Sequence, residues 1–370
     1  MNAKVLAPIC LVVVVATAYG SSNSTDTTGP ALDSADVMGQ HINITVMETD
    51  GVLHTIPLRD IRNGGVPKDG IPSIDEPVFI NATDATSMKD TDIVIGLNID
   101  GDVRAYPLSI MVWHEIVNDE VGGIPVAVTY CPLCYTSQVF ERVLEDEVVE
   151  FGTTGKLYQS NLLMYDRLTD TYWSQALGMA VKGPLSGQIL DTIPLDLMEW
   201  GDWKNVYPST LILSTNTGHA RPYDVDPYGS YYTEERIVFP VSHRDDRLQL
   251  KDIVIGMKVN GTHKAYKQSD VESHTIINDN IGDTDVLLLS KYVGNTRVFD
   301  RTLGNQTLTF LYNNTTLVDV NTGSEWSYEG EAVAGELAGE RLTKFSIWPG
   351  FWFEWVAFHP ETLIYGYEQD

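Results

Sequence analysis

The chain has 370 residues and a mass of 41.1 kDa, room for two ordinary domains or one large one. Its 51 acidic and 24 basic residues give a formal charge of −27, which argues against nucleic acid or an anionic membrane surface as a partner, since both need a basic face. Hydrophobic residues at 43% are a globular value, and three cysteines are too few for a disulfide-dense scaffold.

Residues 1–20 read as a secretory signal peptide. Lys4 supplies a basic start and Val5 to Ala16 an apolar core, and Ala18-Tyr19-Gly20 brings small residues to a cleavage site. No later apolar run reaches membrane-spanning length, so no integral membrane segment is expected after signal removal. Cys10 leaves with the signal, and the mature chain keeps Cys131 and Cys134. Asn-x-Ser/Thr sequons stand at Asn23, Asn43, Asn81, Asn260, Asn305, Asn313 and Asn314, well above the roughly 2.6 that composition alone would give. The expectation is a secreted, extracellular glycoprotein.

Residues 21–50 are polar and read as flexible, and 51–90 as an N-terminal extension packed on the chain after residue 90. From there two stretches echo each other. Asp92-Ile93-Val94-Ile95-Gly96 recurs 160 residues later as Asp252-Ile253-Val254-Ile255-Gly256. Ala105-Tyr106, His114 and Asn118-Asp119 keep the same displacement. It slips to 159 at Phe140 and Arg142 and to 152 at Gly183-x-Leu185-x-Gly187, Trp200, Trp203 and Pro208. Ordered anchors with a drifting offset read as an internal duplication: copy one at 91–213, an aromatic connector at 214–250, and copy two at 251–370. Two copies are not an array, so neither a solenoid nor a propeller is implied.

Each copy opens with a hairpin whose turn pair, Asp100-Gly101 or Asn260-Gly261, suits a type I′ turn. A short helix is predicted over Leu108–Val117, entered at Pro107. Short β-rich runs follow at 124–130, 135–143, 148–151 and 162–168. The expected fold is mainly β, an α+β chain with few short helices in two tandem, diverged copies, without a Rossmann alternation. The connector's Tyr223 to Tyr232 is too aromatic for a plain linker and is expected between the copies.

Three further motifs stand out: His114-Glu115-Ile116-Val117-Asn118-Asp119, Tyr130-Cys131-Pro132-Leu133-Cys134, and Ser160-Asn161-Leu162-Leu163-Met164-Tyr165-Asp166-Arg167. With Trp173-Ser174-Gln175 and Asp226-Pro227-Tyr228-Gly229 they make the chain resemble an uncharacterised family, domain of unknown function 3179, from about residue 75 onward. The resemblance implies no activity, only a recurrent cysteine pair and frequent export signals.

The Cys131/Cys134 pair admits three readings. Export favours a disulfide closing the tight turn. A redox role is the second, although a following helix that would lower the thiol pKa is missing. The third is a metal site, with His114 as the nearest candidate for a third ligand and zinc or copper as the metal; zinc needs four ligands, and no second cysteine pair exists. His274 repeats His114 where no cysteine is present, which favours a buried structural histidine. Asn161, Asp166, Arg167 and Gln175 are candidates for a polar pocket beside the cysteines, or for plain structural pairs. Asn98-x-Asp100-Gly101-Asp102 is better read as a turn than as a calcium loop, and His219, Asp224 and Asp226 form another candidate cation site. No nucleophile–base pair is evident, which favours a non-enzymatic role. Dispersed acids, densest at 141–150, would bind calcium weakly at many sites. The leading expectation is an acidic glycoprotein of an extracellular, calcified matrix or mineral surface; the alternative is an exported redox or metal-binding protein using Cys131 and Cys134.

Overall fold

Apolar alternation folds residues 93–107 into an antiparallel hairpin, Ile93–Ile99 against Asp102–Pro107. The computed structural model describes residues 44–313 and 315–367, and the backbone of a strand pair at Ala35–Val37 and Gln40–Ile42. The signal segment and the sequons at Asn23, Asn43 and Asn314 lie outside the described residues. Asp100 and Gly101 both take positive φ, 50° and 87°, the twist a two-residue type I′ turn needs. A second hairpin, Ile253–Val259 with Thr262–Lys267, turns at Asn260 and Gly261 with φ of 48° and 77°. Its register repeats the first: Gly96 faces Ala105, and Gly256 faces Ala265.

Each hairpin runs into a seven-residue helix, α1 at Leu108–His114 and, in the second stretch, Gln268–His274. The first is shorter than the predicted 108–117. Glu115 turns left-handed at φ 60°, and Ile116–Val121 is already a strand. A three-stranded meander follows, Ile116–Val121, Ile124–Cys131 and Thr136–Glu141. Its counterpart is Ile276–Ile281, Thr284–Leu289 and Arg297–Asp300. A third sheet comes next in each stretch, and the chain then returns to the opening hairpin. Asp196–Glu199 and Trp348–Phe351 pair antiparallel with the first hairpin strand, and Leu211–Leu213 and Leu363–Ile364 pair parallel with the second. In the order of the chain the helices are α1, α2 at Trp200–Val206, α3 at Gln268–His274 and α4 at Trp352–Phe358.

The fold is mainly β, with four short helices among the described residues. Six sheets of three to seven strands stand in a propeller-like ring. Two matching stretches do not by themselves imply a propeller; the ring arises because each stretch supplies three of the six sheets. Strands from the N-terminal side join the first stretch: Met47–Thr49, within the segment read as flexible, and Val52–His54 of the extension at one sheet edge, Arg62–Asn63 at the other, and Phe79–Asn81 beside Leu211–Leu213. Among the described residues no helix is long and apolar enough to cross a membrane.

The ring closes at two junctions between the stretches. At one, Phe351 donates its backbone N–H to Cys134 O (2.8 Å) and Gln138 its side-chain amide to Ile347 O (3.2 Å). At the other, Arg297, with no exposed side-chain surface, forks onto Asp196 at 2.7 and 2.9 Å, and Lys344 joins at 3.0 Å.

Candidate functional site: a buried dithiol at a junction of the ring

Cys131 ends one meander strand, Cys134 precedes the next, and Cys131 faces Thr136 in the ladder. The Cys134 N–H closes the turn on Cys131 O at 3.1 Å, and Tyr135 leaves it at φ 57°. Both thiols are buried and free, with no Sγ pair at disulfide distance. The expected disulfide is therefore not formed in this structure. The Cys134 thiol instead donates to Ser160 O at 3.2 Å. Burial pushes that thiol well up, and hydrogen bonding to Cys131 and the nearby Glu354 carboxyl add to it.

Two of the four pocket candidates lie here. The Asn161 amide donates to Gln175 Oε1 at 2.8 Å and to Glu354 Oε1 at 3.3 Å, and it also touches the Cys134 thiol. Gln175 donates to Thr129 Oγ1 and to Thr136 O, at 3.2 and 3.0 Å. Asp166 and Arg167 do not join them. Asp166 accepts from the Trp173 indole (2.9 Å) and from Thr169, and Arg167 reaches Asp75 and Ser73 on the far side.

The far stretch completes the cluster. Helix α4 is buried along almost its whole length, Trp352 to Ala357, and Glu354 is the one acid in it. Burial pushes the Glu354 carboxyl up to about 8, against the pull of Lys258. Burial likewise brings the Lys258 ammonium down to about 7, although Glu354 favours its charge. Lys258 Nζ donates to Ala176 O (3.0 Å) and lies 4.2 Å from the Trp348 ring centre. Beyond it His263 stacks on His359 at 4.1 Å, and burial, with Lys258 nearby, lowers both, His263 to about 4. The sequence reading missed Glu354 and Lys258. One signal was present: a lone acid in the run Trp352-Phe353-Glu354-Trp355-Val356, which has no polar face to put it on.

The connector covers the turn. Tyr231 donates its hydroxyl to Leu133 O at 2.8 Å, and Lys251 sits 3.4 Å over the Tyr231 ring while bonding its carbonyl. Tyr228 and Tyr232 pack on the same core, which mixes Cys131 and Leu133 with Phe351 and Phe353. An open groove of about 770 Å³ runs beside this cover, past Tyr232, Leu250, Lys251 and Asp252. Glu115 is buried on the same side near Tyr228, and burial raises its carboxyl to about 8.

His114 does not act with the cysteines. It is buried, its Nδ1 is 2.7 Å from Pro72 O and its Nε2 2.7 Å from the Tyr223 hydroxyl, so both ring nitrogens are engaged. Burial lowers it to about 4. His274, its counterpart in the sequence, is exposed and bonds Asp270 O at 2.7 Å. Among the described residues no three or more His, Cys, Asp or Glu side chains come together as a metal would require. The trio Cys131, Cys134 and His114 is thus not assembled as a metal set, nor is His219 with Asp224 and Asp226. Asn98 accepts from the Gly101 N–H at 3.2 Å and serves the hairpin turn. Asn81, Asn260, Asn305 and Asn313 are all exposed.

No curated protein and no solved structure matches the chain. A family model described as a protein of unknown function, DUF3179, matches residues 68–362, and the chain belongs to that family.

Proposed function

We propose that the chain is an exported acidic glycoprotein that carries a dithiol–disulfide redox centre at Cys131 and Cys134. One observation carries this reading. Two free thiols share a tight turn, buried beside Asn161, Glu354 and Lys258, where two apolar residues would have served packing alone. The reaction is exchange with a disulfide of a small thiol, R–S–S–R. Both cysteine thiols are oxidised to one Cys131–Cys134 bond, the R–S–S–R bond breaks, and the two protons leave on two R–SH. Equilibrating the protein in thiol–disulfide buffers and weighing it after acid quench tests this. A reversible loss of two hydrogens is expected in the native fold, absent from Cys131→Ser and Cys134→Ser. Thiols that stay free at every poise would refute it.

A matrix role is the second reading, favoured by the solvent-facing sequons at Asn81, Asn260, Asn305 and Asn313 and by the exposed acidic turn at 145–147. Dispersed carboxylates without a prepared cage bind calcium loosely. Calorimetric titration of the secreted protein should then show weak, multi-site calcium binding, and glycopeptide mapping should find these asparagines modified. Bare asparagines and no calcium heat would end this reading.

A further inference from the structure

We propose that Glu354 is the proton acceptor and donor for Cys134, so that the redox centre is complete only where the two halves of the chain meet. This rests on the dithiol reading above and names the residue that would regulate it.

The cysteines come from the first stretch and Glu354 from α4 of the second, joined by the Phe351 N–H on Cys134 O. The Asn161 amide touches the Cys134 thiol and donates to Glu354 at 3.3 Å. Thr136 makes a second link, with its hydroxyl donating to Cys134 O at 3.3 Å and lying beside the Glu354 carboxyl. Cys134 and Lys258 are the titratable groups facing Glu354. Cys131 and Tyr231 face Cys134 from the turn and the connector, and His263 and His359 face Lys258.

Only a thiolate attacks sulfur, and burial opposes ionisation of the Cys134 thiol, so that thiol needs a base. Cys131 first attacks R–S–S–R, giving Cys131–S–S–R and one R–SH, whose proton comes from Cys131. Glu354 as carboxylate then takes the Cys134 proton. The Cys134 sulfur attacks the Cys131 sulfur, the bond to R–S breaks, and the departing sulfur receives the proton from Glu354. The acid returns unchanged, and one disulfide has been exchanged for another. In reverse Glu354 donates. Because its carboxyl is raised to about 8, the fraction able to act as base grows through that pH.

The test follows reduced full-length protein mixed with oxidised glutathione, acid-quenched and weighed, so that the mixed disulfide and the internal disulfide are counted separately. In the wild type the conversion of one to the other should accelerate with a midpoint near pH 8. Glu354→Gln, a neutral isostere, should slow that conversion about 100-fold or more, accumulate the mixed disulfide and abolish the midpoint. Glu354→Asp should restore a midpoint. Conversion in Glu354→Gln at the wild-type rate and pH dependence overturns the proposal. Should that variant not fold, a flat wild-type profile across pH 8 overturns it equally. Failure of the dithiol reading looks different: no internal disulfide forms in the wild type at any pH.

Discussion

A Cβ at Gly256 would stand 2.3 Å from the Trp355 ring, and one at Gly96 would stand 2.3 Å from that of Trp203. Neither indole can retreat, because both are buried and each is pinned by its N–H to a threonine, Thr210 or Thr362, at 2.9 Å. Gly96→Ala and Gly256→Ala should therefore each cost about 1–3 kcal/mol by overpacking, read from denaturant midpoints. The cost of Gly256→Ala should shrink in a Trp355→Leu background, since residues in contact do not add. Equal costs in the two backgrounds would show that the ring is not what excludes the methyl group. The glycines and tryptophans could be matched between the stretches in the sequence. Their contact could not, because strand and helix meet only after the chain has run through two further sheets.

The connector and α4 are the elements whose role depends on the opposite half. Tyr223 to Tyr232 could be placed between the stretches from aromaticity alone, and Tyr228, Tyr231 and Tyr232 do pack on residues of both. That one hydroxyl would reach the Cys-Pro-Leu-Cys turn depends on the three-residue-per-turn helix at Gly229–Thr233, which no periodicity announces. Glu354 was hidden for a related reason: its counterpart by the 152-residue offset, Asp202, is half-buried on α2 and faces no thiol pair. Tyr231→Phe removes the bond to Leu133 O and keeps the ring. Losing about 1 kcal/mol of cover makes opening about fivefold more frequent. Alkylation of Cys131 and Cys134 in the native protein should accelerate by that factor. An unchanged rate would mean the thiols are reached from another side.

At the scale of the ring the two junctions repeat one geometry with different chemistry. Gln138 and Arg297 occupy corresponding strand positions by the 159-residue offset; the first reaches Ile347 O, the second Asp196. The dithiol junction thus holds few formal charges, and the other is an ion cluster of Asp196, Arg297, Lys344 and Glu329. Burial alone would raise the Asp196 carboxyl, but Arg297 and Lys344 overcome it and hold the group far below the usual carboxylate range. A folded-state pKa below the unfolded one stabilises fully above the unfolded value, and the gain is lost as pH falls through the folded one. Arg297→Met leaves Asp196 buried with Lys344 as its sole cation, and breaking such a pair costs about 3–5 kcal/mol, with Lys344 keeping the loss near the lower end. The difference from wild type should hold at neutral pH and narrow below about pH 4, where Asp196 of the unfolded chain takes up its proton. Urea melts of both proteins at pH 7 and pH 3 read this directly. A gap that stays constant between them would mean that Arg297 holds the halves together by packing and not by its charge.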